Sequence, residues 1–136
     1  MVNIIVSSDP RYKVNRAAIQ ATVLSALSKR GVKGRVELEV TIIGDRKMHE
    51  LNRKFRGIDA TTDVLSFALE EASSANLRIL PRGFAAFPDR ILRLGSIVIS
   101  YSQALEDAAA SGTSVEEEIN FLVDHGTDHL LGIHHN

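Results

Sequence analysis

The chain contains no cysteine in 136 residues. That removes disulfides and thiolate metal sites together, agrees with a reducing compartment, and leaves nitrogen and oxygen as the only strong metal ligands. No apolar run approaches the roughly 18 residues of a membrane span. Met1 leads straight into "VNIIV", with no basic start followed by a long apolar stretch. A cytoplasmic protein without a membrane partner is expected. Internal repeats and low-complexity tracts are missing as well. Net charge is nearly absent at −1, so the chain as a whole is no polycation that binds nucleic acid indiscriminately. With 44% hydrophobic and 24% charged residues, the composition is that of one globular domain, expected to span residues 1–136.

The near-zero total hides an asymmetry. Residues 1–60 carry 12 Lys/Arg against 6 Asp/Glu, and residues 61–136 carry 4 against 11. Within the first half, "RKMHELNRKFR" (46–56) holds five basic residues and one acid. This is either a patch for a phosphate backbone or a solvated helix face whose long stems cover apolar neighbours.

Hydrophobic period places the elements. "VNIIV" reads as a short strand. From Val14 to Arg30 the apolar residues Val14, Ala17, Ala18, Ala21, Leu24 and Leu27 predict an amphipathic helix stopped by Gly31. "RVELEVTII" alternates Val36, Leu38, Val40 and Ile42 against Arg35, Glu37, Glu39 and Thr41, a strand buried on one face. Asp45 is the expected cap of the next helix, with Met48, Leu51 and Phe55 as its inner stripe. "TDVLSFAL" (62–69) and "LGSIVIS" (94–100) read as strands. The interval between them, with Pro81, Gly83 and Pro88, is too long for a plain connection and is either a functional loop or holds a short strand. "SQALEDAAAS" (102–111) is helical, and Ser114 with Glu117 forms a capping box opening a helix to about Leu131. The class is α+β with one mixed sheet and, at the C-terminus, a site helix like that of zinc metalloproteases.

That site helix carries "HGTDHLLGIHH" (125–135), and four of the five histidines fall in the last twelve residues. His125 and His129 are four apart and project from one helix face. Gly132 permits a sharp turn that can return His135 to the same point. Three neutral imidazoles with a fourth position open are the ligand set of a catalytic zinc, one per chain. The adjacent His134 is expected to point away in an extended segment. His49 has no evident partner and reads as structural or surface. In HExxH peptidases the residue after the first histidine is the general base; here it is Gly126, so the chemistry needs help from elsewhere, and arginine is the obvious source of positive charge.

"LNRKFRGIDATTDVLSFAL", "LGSIVIS" and "HGTDHLLGIHH" together resemble the YbeY family of metal-dependent bacterial endoribonucleases, in the family's order and over most of the chain. The resemblance implies an α+β metallohydrolase fold, zinc on His125, His129 and His135, and a role in ribosomal RNA maturation and ribosome quality control. Its partners would be precursor ribosomal RNA and the ribosome, not DNA. The family's arginine before the "TDVLSF" strand matches Arg56, the expected catalytic donor to phosphate. This chain departs from the family at Ser96, Asp124, Asp128 and His134. Asp124 or Asp128 could orient a metal-bound imidazole, or Asp128 could face solvent. Thr62, Asp63 and Ser66 are expected to fix their strand against the site helix. Two other readings stay open: a zinc peptidase or amidohydrolase, and a non-catalytic zinc protein of the ribosome.

Overall fold

A computed structural model of the chain describes residues 2–69 and 91–133. Most of the interval expected as a loop or hidden strand, and also His134, His135 and Asn136, lie outside the described residues. The elements run β1 (Val2–Ser8), α1 (Arg16–Lys29), β2 (Arg35–Ile43), α2 (Asp45–Arg56), β3 (Val64–Ala68), β4 (Ile91–Ser100), α3 (Tyr101–Ser111) and α4 (Val115–Leu130). The sheet order is β1-β2-β4-β3, with β1, β2 and β4 parallel and β3 antiparallel to β4. The expected mixed sheet of an α+β domain is present.

β2 follows its alternation closely. Val36, Leu38, Val40 and Ile42 are buried on one face, and Ile43 on the other. β4 needs a correction to simple alternation. Leu94, Ile97 and Ile99 all join the main core, although 94 and 97 cannot share a face in a regular strand. The register against β2 shifts between Arg93 and Gly95, leaving Leu94 as an extra residue that restores the face. Gly95 takes φ 132°, and a Cβ there would lie 2.0 Å from the Phe67 carbonyl oxygen. The bulge therefore requires glycine.

α1, α3 and α4 cover the face of the sheet that carries Leu38, Val40 and Ile97. α2 covers the other, where Met48 packs with Ile43, Leu65 and Val98. α1 begins at Arg16, capped by the Asn15 side chain accepting from Ala18 N. Its buried residues are Ile19, Val23, Ala26 and Leu27; Ala17, Ala21 and Leu24 of the expected stripe face solvent. Alanine shows little preference between faces, so the stripe was better marked by Ile19, Val23 and Leu27, one turn apart.

α2 brings two further corrections. Gly44, not Asp45, is the N-cap, without a side-chain bond; the Asp45 carboxylate instead accepts from the hydroxyls of Thr61 and Ser100. Phe55, placed on the inner stripe by period, is 56% exposed. Met48 is the one apolar side chain of α2 that is fully buried, worth about 1.5–3 kcal/mol, so side-chain ties carry much of the anchoring. Asn52 is buried and donates to the Ala60 carbonyl at 2.8 Å. His49, expected without a partner, has Nε2 2.7 Å from Asp59 Oδ1.

α4 opens with the anticipated capping box between Ser114 and Glu117. Near its start an acidic meeting point joins α3 to β3. Burial, a hydrogen bond with Asp63 and the charges of Asp63, Glu118 and Glu106 all raise the Asp107 carboxyl above its ordinary 3.8. The folded state thus holds this proton more tightly than the unfolded chain. Its contribution to stability is fully present below the ordinary value and is lost as pH rises through the raised one. Asp107→Asn should therefore raise the melting temperature at neutral pH and lose that advantage as pH falls below about 3.8. Thermal unfolding across this range checks it; a variant melting no higher than wild type at neutral pH contradicts the assignment.

Candidate functional site

Rotation of α4 about its axis decides what each of its residues can do. Ile119, Leu122, Val123, Gly126 and Leu130 are buried toward the sheet. A second flank faces α1: Lys29 Nζ lies 3.8 Å from Asp124, and Arg30 reaches Asp128 through Nε at 3.2 Å and Nη2 at 3.0 Å. The Asp128 side chain is 2% exposed, which excludes the solvent-facing one of the two alternatives left open for it. The pair joins the ends of α1 and α4, and hydrogen bonding to Asp128 pushes the Arg30 pKa up.

His125 and His129 fall on the remaining flank, half-buried, with ring centroids 4.5 Å apart and planes tilted by 46°. Phe121, one turn earlier and 63% exposed, stacks on His125 at 6.2 Å with planes 13° apart. Two imidazoles converging from one helix face fit one ion with nitrogen preference. Among the described residues no group of three His, Asp or Glu assembles around such a point, and His135 lies outside them. Gly132 does take the left-handed conformation, φ 82°, at the helix end where the chain has to turn.

Gly126 proves to be a packing residue. A Cβ at this position would meet Ile97 Cγ2 at 2.8 Å and Cγ1 at 3.1 Å. Ile97 is fully buried, and its branched carbons have nowhere to go. A glutamate here would have to enter the sheet, so position 126 offers no place for a base in this fold.

Arg56 ends α2 and is exposed. The structure does not bring it into contact with the histidines, because α2 and α4 lie on opposite faces of the sheet. Both nevertheless border β3 at one level. Gly126 lies over Ile97, whose partner is Ser66, and Phe55 meets the next residue, Phe67, at 5.2 Å. Sequence reasoning missed Asn52 and Asp59, which tie α2 to the segment that follows it, and gave Asp45, at the start of the helix, a capping role in place of its bonds to Thr61 and Ser100. An asparagine one turn after Met48, on the helix's apolar side and amid basic neighbours, was the available signal.

Sheet order and helix placement define an α+β protein whose last helix offers a pair of imidazoles beside an outer strand. The pattern of the family described as Endoribonuclease YbeY matches residues 5–136. The chain is 38% identical over 135 residues to the endoribonuclease YbeY of Dehalococcoides mccartyi (strain CBDB1), covering 99% of this chain and 81% of that one. It is 39% identical over 128 residues to that of Roseiflexus castenholzii, covering 93% and 75%. The solution structure of TM1509 from Thermotoga maritima has the same fold, with a TM-score of 0.57 at 24% identity over 98% of this chain and 75% of that one. This chain belongs to the YbeY family. No helix among the described residues is long and apolar enough to cross a membrane.

If Gly126 is fixed by contact with Ile97, Gly126→Ala should destabilise the fold. Overpacking costs about 1–3 kcal/mol, more than the roughly 1 kcal/mol of helix propensity gained. With Ile97→Ala added, the double variant should be more stable than the two single losses predict. Urea unfolding of the four proteins measures this; simple additivity would disprove the contact.

Proposed function

We propose that this protein is a zinc-dependent endoribonuclease that cleaves single-stranded RNA in ribosomal RNA maturation and ribosome quality control. The observation that carries the reading is the convergence of His125 and His129 on one flank of α4, in a chain whose family match spans residues 5–136. The relatives are named as endoribonucleases, which supports RNA as the substrate. A peptidase of the HExxH type would need a base directly after His125, and Gly126 against Ile97 leaves no room for one there.

His125, His129 and His135 would hold the metal. When bound, zinc supplies Lewis acidity and lowers the pKa of a coordinated water toward neutrality. The remaining work belongs to the chain. The sheet and the Arg30–Asp128 pair keep His125 and His129 on a fixed helix face, which supports their reading as two of the ligands. Phe121 shields one side of the His125 ring. Arg56 is assigned to the phosphate: a planar guanidinium can grip two non-bridging oxygens as they gain charge, which a point charge does less well.

Metal analysis of variants tests the ligands. One zinc per chain is expected in the wild type; His125→Ala, His129→Ala and His135→Ala should each lose it, and His134→Ala should keep it. Unchanged stoichiometry in both His125→Ala and His129→Ala would end the metal reading.

Turnover at saturating RNA tests the arginine. Arg56→Ala should fall by roughly 10²–10³ at unchanged zinc content, and Arg56→Lys should recover part of that. Arg53→Ala and Lys54→Ala should mainly weaken binding. Equal, small effects across all four variants would reduce Arg56 to one more surface cation.

A further inference from the structure

Phe55 stands on the last turn of α2, 56% exposed, between Lys54 and Arg56 and two residues after Arg53. Its ring is held in place. Phe67 meets it at 72° between planes, and Lys54 Nζ stands 5.4 Å from the ring centroid. Three cations and no acid occupy this helix end; the neighbouring Asp59 carboxylate is engaged by His49. A fixed aromatic face ringed by cations has the chemistry that holds a single strand, with bases on the ring and phosphates on the charges.

We propose that Phe55 is a base-stacking platform for single-stranded RNA, with Arg53 and Lys54 taking the adjoining phosphates. The inference rests on the RNA-cleaving reading and supplies it with a substrate-positioning residue. A surface cation–π contact is weak, so an arriving base displaces the Lys54 ammonium from the ring toward the phosphate. Phe121 provides the contrast. It is similarly exposed, but its neighbours one turn back on α4 are Glu117 and Glu118, with no cation beside them in the helix, and those charges disfavour a phosphate backbone. Charge therefore selects Phe55 as the platform.

Equilibrium binding of the full chain to a short single-stranded RNA, and to the same strand carrying abasic sites, tests this. Phe55→Leu keeps apolar bulk and loses the aromatic face; it should weaken RNA binding by roughly 5- to 100-fold and abasic binding far less. Phe55→Trp should retain affinity. The salt dependence of Phe55→Leu should match wild type, whereas Arg53→Ala should weaken both strands and lower the salt slope by about 0.7. A wild type that binds and cleaves RNA, with Phe55→Leu indistinguishable from it, sinks the platform and leaves the endoribonuclease reading standing. A wild type that binds neither strand removes both. Loss of self-association in Phe55→Leu by sedimentation, with RNA affinity unchanged, would make this face a protein contact and overturn the proposal.

Discussion

The absence of a side chain at Gly126 lets α4 settle onto β4 closely enough for the main chain to contact Ile97, and the angular position of every other residue on that helix follows. With 126 at the sheet, 124 and 128 turn toward α1, where Lys29 and Arg30 meet them. His125 and His129 are left on the flank away from α1, half-buried beside each other. Rotating the helix by one residue, about 100°, would put His125 or Thr127 against Ile97 in place of the glycine and move both imidazoles off their present flank. Packing thus orients the ligands, and the glycine that replaces a peptidase's base is the residue that makes the packing possible.

Charge is distributed to match. The basic excess of the first 60 residues and the acidic excess of the remainder partly cancel along the seam between α1 and α4, through Lys29 with Asp124 and Arg30 with Asp128. The last turn of α2 carries Arg53, Lys54 and Arg56 with no acid among them, and acidic residues Glu116, Glu117 and Glu118 open α4. The two faces beside β3 therefore differ in sign as well as in chemistry: a cationic, aromatic end of α2 on one, a histidine flank on the other.

Along its length α2 is fastened by polar ties more than by burial. Asp45 takes two hydroxyls, Asn52 a carbonyl, and His49 a carboxylate, all drawing residues 59–61 and the end of β4 back along the helix. With Met48 and Leu51 occupying the sheet side, Phe55 is left to lean on Phe67 at the margin. Its exposure results from the chain's folding back at this point, and sequence period had no way to register it.

What the sequence by itself determined follows from local physics. The order and type of the described elements, the one-sided burial of β2, the capping box of α4 and the i, i+4 convergence of His125 and His129 all depend on residues a few positions apart, whose geometry is set by helix or strand period alone. The tertiary structure decided the rest because the partners are distant in sequence: Arg30 on Asp128, Ile97 under Gly126, Thr61 and Ser100 on Asp45. The bulge at Leu94 that changes the parity of β4, the choice of Ile19 and Val23 over alanine as the buried face of α1, and the displacement of Phe55 to the surface each depend on which neighbour the fold supplies. Periodicity predicts that a residue has a buried side; only the packed neighbour determines which way that side must turn.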